Sequence, residues 1–72
     1  MAEYRELWTV DEVIETLGGT NAVARAFGVT PGAVSQWRKE GLPADTFVAM
    51  SGLLMERGMT APSHFWGMRE IV

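Results

Sequence analysis

With 72 residues, a formal net charge of −3 and 47% hydrophobic residues, the chain has room for one domain around a single small core and too much apolar volume to be disordered. It has no cysteine, which excludes disulfides, thiolate nucleophiles and cysteine metal sites, and its one histidine, His64, has no partner cluster and is expected at the surface or at a helix cap. No apolar run approaches the roughly 20 residues that span a bilayer, and the opening MAEYRELW lacks the pattern of a signal peptide, so a soluble, cytoplasmic protein with no membrane role is expected.

Glycines and prolines divide the chain into segments of helical length, and no strand-like alternation competes with them. The first helix opens at Thr9, because Thr-Val-Asp-Glu is a capping box in which the Thr9 hydroxyl and the Glu12 carboxylate each serve the other's backbone amide. Trp8 and Val13 are spaced to form a hydrophobic staple across that cap. Val10, Val13, Ile14 and Leu17 fall on one side as core, and Gly18-Gly19 stops the helix. A second helix spans about 21–27, capped by Thr20 or Asn21 and closed by Gly28. A third starts with Thr30 as cap and Pro31 in the first turn and ends near Glu40.

Pro43 opens a fourth helix running to Arg57, with Phe47, Met50, Leu53, Leu54 and Met55 on its apolar side. Gly52 inside it is unfavourable by about 1 kcal/mol relative to Ala, which predicts a close helix crossing at that point. The stretch from Thr60 to Met68 predicts one more short helical turn, capped by Thr60 or Ser63. The fold expected is all-α, a four- or five-helix domain occupying 1–72.

Divided by segment, the charge is uneven. Residues 1–19 hold Glu3, Glu6, Asp11, Glu12 and Glu15 against Arg5; residues 20–41 hold Arg25, Arg38 and Lys39 against Glu40 and carry +2; the remainder carries −1. The middle segment is the basic one, and one face suffices for binding an anionic partner. Arg25 is as readily a solvated helix residue or a partner for Glu15 as a DNA contact.

That basic segment, TNAVARAFGVTPGAVSQWRKEG over residues 20–41, resembles the helix-turn-helix of the Cro and repressor class. Ala24 is the small residue that lets two helices cross closely, and Gly28, four residues later, tolerates the positive φ of the turn. Val23, Phe27, Val29, Val34 and Trp37 take the inward positions. The resemblance implies a lambda-repressor-like domain in which Pro31, Gly32, Ser35 and Gln36 lie nearest the base edges. It likewise implies that Thr20, Asn21, Thr30, Arg38 and Lys39 lie near phosphates. Gln36 can both donate to and accept from adenine, whereas Ser35 discriminates less, and Pro31 and Gly32 offer no side-chain hydrogen bond.

The wider stretch from Leu17 to Met50 is similar to the small YdaS-type and Cro-like phage or prophage regulators. This implies a DNA-binding transcriptional repressor with an operator duplex as partner and no cofactor. The final SHFWGMREIV departs from that pattern. Three cations per chain are few for a monomer to hold a site, so a homodimer on a near-palindromic site is expected, joined through Phe65, Trp66 and Ile71. The alternative function is an antitoxin or helix-turn-helix adaptor that meets a protein partner through the apolar tail Phe65, Trp66, Met68, Ile71 and Val72. An enzyme is not expected, since no nucleophile-base pair, carboxylate dyad or metal-ligand spacing occurs.

Overall fold

The computed structural model describes residues 4–68. Along the chain it forms strand β1 (Arg5–Glu6), helices α1 (Val10–Thr16), α2 (Thr20–Phe27), α3 (Pro31–Glu40) and α4 (Phe47–Glu56), and strand β2 (Met59–Thr60). Two single 3-10 turns, Ala44–Thr46 and Ser63–Trp66, precede α4 and follow β2. The helical architecture is the one expected, with one addition: β1 and β2 pair in parallel, Arg5 opposite Met59 and Glu6 opposite Thr60. A two-residue ladder is too short for alternation to register in the sequence, and it forms here because α4 ends beside the N-terminal segment. The Arg5 amide donates to the Gly58 carbonyl at 2.9 Å and the Leu7 amide to that of Thr60 at 2.8 Å.

This pairing decides which N-terminal side chain enters the core. Successive residues in extended chain point to opposite sides, so turning Leu7 inward turns Trp8 out. Leu7 is buried and Trp8 is 81% exposed, so the Trp8–Val13 staple does not form. The capping box does form: the Glu12 amide donates to Thr9 Oγ1 at 3.1 Å, while Glu12 Oε1 accepts from the amides of Thr9 and Trp8 at 3.0 and 2.8 Å.

The start of α2 differs from expectation as well. Neither Thr20 nor Asn21 caps it; Gly19 does, without any side-chain hydrogen bond, and Thr20 already lies inside the helix. The turn from α1 to α2 is so tight that a Cβ on Gly18 would stand 2.9 Å from the Ala22 methyl. Thr30 caps α3 as predicted, its hydroxyl accepting from the Ala33 amide at 3.1 Å, with Pro31 following.

The fourth helix is shorter than expected. Residues 44–46 form a 3-10 turn, and α4 begins only at Phe47. Thr46 holds that turn by donating its hydroxyl to the Pro43 carbonyl at 2.7 Å, and the same oxygen accepts from Trp66 Nε1 at 3.2 Å in the interior. Trp66 thus buries its ring with its one polar group satisfied, edge-on to Phe47 at 5.0 Å. Met50 and Leu54 face the core, but Met55 is 52% exposed and belongs to the outer face. Gly52 sits at no crossing, since a Cβ there would meet nothing within 4 Å. The last helical turn has neither Thr60 nor Ser63 as a side-chain cap; Thr60 is in β2.

The core joins Val13 and Ile14 of α1, Val23 and Ala24 of α2, Val34 of α3, Met50 and Leu54 of α4, and Leu7, Leu42, Phe65 and Trp66 from the connecting segments. No buried side-chain polar atom among the described residues lacks a partner.

Candidate nucleic-acid interface

The pair α2 and α3 supplies the site's frame. Ala24 is buried where the two helices meet, and the chain leaves α2 through Gly28 at φ 66°, in the left-handed region where a side chain would be strained. The Val29 amide closes the end by donating to the Ala24 carbonyl at 2.9 Å. Val23 and Val34 are buried, and the partly buried rings of Phe27 and Trp37 meet edge to face at 6.5 Å. Val29, expected inside, is exposed because the turn that carries it runs over the surface.

With that frame set, α3 turns Pro31, Gly32, Ser35, Gln36 and Lys39 outward. Positions 32, 35, 36 and 39 recur at helical spacing, so they form one continuous exposed face. The Ser35 hydroxyl makes no hydrogen bond to another described residue. Gln36 donates from Nε2 to Glu40 Oε2 at 2.6 Å, one turn further on. Asn21 is exposed in the first turn of α2, whereas the Thr30 hydroxyl already serves as the α3 cap. Arg25 and Lys39 make no ion pair with any described residue.

Arg38 has different surroundings. Its Nη1 donates to Asp11 Oδ1 at 2.9 Å and its Nη2 to Glu15 Oε2 at 2.7 Å, both on α1. Nε and Nη2 also donate to Thr20 Oγ1 at 3.2 and 2.9 Å. The side chain is 23% exposed while the two carboxylates stay largely in solvent. Hydrogen bonds to Asp11 and then Glu15 raise the guanidinium pKa further above its ordinary value. Glu15 therefore pairs with Arg38, not with Arg25.

Thr20 and Arg38, both expected near phosphates, are thus brought together with each other and with two acids. The basic count of residues 20–41 overstates the positive charge of this face, because one of its cations is matched from the first segment. Sequence reasoning missed Asp11 and Glu15. Their four-residue spacing, which puts both on one side of α1, marks an acidic face without naming its partner.

The C-terminal residues take another role than expected. Phe65 and Trp66 are buried, and the partly buried Met68 packs against the same core, so Phe65 and Trp66 strap the domain's own interior. Ile71 and Val72 lie outside the described residues. His64 is exposed, with its ring edge-on to Phe65 at 4.9 Å. Among the described residues no helix is long and apolar enough to cross a membrane.

Residues 9–48, more than half of the chain, match the family of the DNA-binding transcriptional regulator Cro. The match runs from the Thr9 cap through α3 into the first turn of α4, and so contains the exposed face of α3 and the whole Arg38 cluster. No curated protein and no solved structure matches the chain.

Proposed function

Because the chain belongs to the family of the DNA-binding transcriptional regulator Cro, we propose that it is a sequence-specific repressor of phage or prophage origin that reads the major groove with α3. The observation that carries this reading is the exposed face of α3. Gly32, Ser35, Gln36 and Lys39 have no part in the core, and the helix beneath them is held by the Ala24–Gly28 crossing. A helix so mounted can enter a groove without disturbing the domain.

Within that face the chemistry divides the work. Gln36 can make a bidentate contact to adenine once its amide leaves Glu40, and Ser35 adds a less selective contact. Pro31 and Gly32 bring the backbone or an apolar surface to the bases. Lys39, Asn21 and Thr30 approach phosphates and contribute affinity without sequence preference. The protein acts in the cytoplasm, on the operator duplex, as a regulator and not as an enzyme.

Two copies are proposed to bind one near-palindromic site, since Arg25 and Lys39 are the cations of residues 20–41 left without an ion pair among the described residues and one chain neutralises few phosphates. With Phe65 and Trp66 in the core, the contact is assigned to the outer face of α4, where Val48 is 82% exposed beside Gly52 and Met55.

Selection from random duplexes with the purified chain tests the reading, and an enriched site is the expected result. On that site Gln36→Ala is expected to relax preference at one base pair by about 1–3 kcal/mol. Lys39→Ala is expected to weaken all sequences alike and to flatten the salt dependence. Recovery of no preferred sequence, or equal losses on specific and random DNA for both variants, would count against it.

A further inference from the structure

We propose that Asp11 and Glu15 act as an internal competitor for the DNA backbone, holding Arg38 in a contact that a phosphate could otherwise take and so lowering the chain's affinity for DNA. This rests on the DNA-binding reading above and assigns to α1 a part in setting its strength. A guanidinium fork accepts carboxylate and phosphate oxygens with the same geometry. Here its donors go to Asp11 Oδ1, Glu15 Oε2 and Thr20 Oγ1, all between 2.7 and 3.2 Å. Thr20 is the first residue of α2, so the cluster sits where the unpaired amides of a helix start would favour an anion.

The charge balance gives the contact its sign. Two carboxylates face one guanidinium, so this end of the α2–α3 pair presents one net negative charge to an approaching duplex, beside Lys39 as an exposed cation. The carboxylates are 65% and 66% exposed, and an ion pair so open to water is weakly held and screened by salt. A phosphate can therefore displace them, but only against that competition. Their bland role, tying α1 to α3, needs hydrogen-bond acceptors and not charge.

The amide variants separate the two roles, because Asp11→Asn and Glu15→Gln keep an acceptor oxygen while removing the charge. The double variant, with its helix content confirmed by circular dichroism, is titrated against a random-sequence duplex and against the duplex recovered by selection. We expect binding of both to tighten on the order of tenfold at low salt, with a steeper salt dependence of about one phosphate per chain. Arg38→Ala is expected to cost more affinity in the double variant than in the native chain, since only there does a phosphate meet no charged competitor for the guanidinium. Glu15→Gln alone, which keeps the Asp11 pair, is expected to give a smaller gain of the same sign and stands in if the double variant loses its fold. Unchanged or weaker binding by the folded variants, or an equal cost of Arg38→Ala in both backgrounds, would overturn the proposal while leaving DNA binding intact. A native chain that binds no duplex would overturn the DNA reading and this one with it.

Discussion

Arg38 and Gly52 show at the scale of single residues how far a side chain's role depends on what folds against it. Arg38 counts as a cation of the basic segment, yet two acids more than twenty residues away in sequence neutralise it. Gly52 looks like a residue kept small for a helix crossing, yet its helix turns it to open space. A methyl group there meets no neighbour and limits the freedom of the unfolded chain, so Gly52→Ala is expected to stabilise the domain by about 0.5–1 kcal/mol. In thermal unfolding followed by circular dichroism at dilute protein concentration, the midpoint is expected to rise by a few degrees, about 4 °C per kcal/mol or more for a domain of this size. A lower midpoint would mean that something covers Gly52 even in the isolated chain.

Between elements, the decisive contact is the one between α2 and α3. Both helices are short, and neither would persist in water without the other, so their angle depends on how closely Ala24 lets the backbones approach. Ala24 is 3% exposed and belongs to the core, so the three further carbon atoms of a leucine would have to enter packed interior. Replacing it with Leu is expected to cost about 1–3 kcal/mol through overpacking and to shift α3 relative to α1, disturbing the Arg38 contacts as well. Denaturant titration checks the first effect; an unchanged midpoint would remove Ala24 from the crossing. The capping box at Thr9 was legible because its partners are three residues apart, whereas the cap expected at Thr20 failed because the tight Gly18-Gly19 turn and the Arg38 guanidinium engage that residue instead.

For the molecule as a whole, the apolar residues divide between a closed core and an exposed set that includes Tyr4, Trp8 and Val29 as well as Val48 and Met55 of α4. Phe65 and Trp66 close the core, and the surface proposed for a second copy is Val48, Gly52 and Met55 on the exposed side of α4. Val48→Glu puts a charge on that face without touching the interior, so the monomer is expected to keep its unfolding midpoint while the complex with the selected duplex falls from two chains to one in sedimentation. The salt dependence is expected to fall with it. Four phosphates neutralised by two chains correspond to a slope of log affinity on log salt of about −4, and one chain to about −2. Two chains per site in the Val48→Glu complex would move the dimer contact elsewhere.

The elements whose signals are local were legible along the chain: the Thr9 and Thr30 caps, the left-handed Gly28, the order of four helices, and the exposed polar face of α3 between buried positions. Each follows from neighbours within one or two turns, and helical periodicity carries that range. The β1–β2 pairing that turns Leu7 in and Trp8 out, the capture of Trp66 by Thr46, and the closure of Asp11 and Glu15 on Arg38 came with the packing of the folded chain. These join residues between 20 and 54 positions apart. Such partners are chosen by which surfaces the packed helices bring together, and no periodicity along the chain encodes that choice.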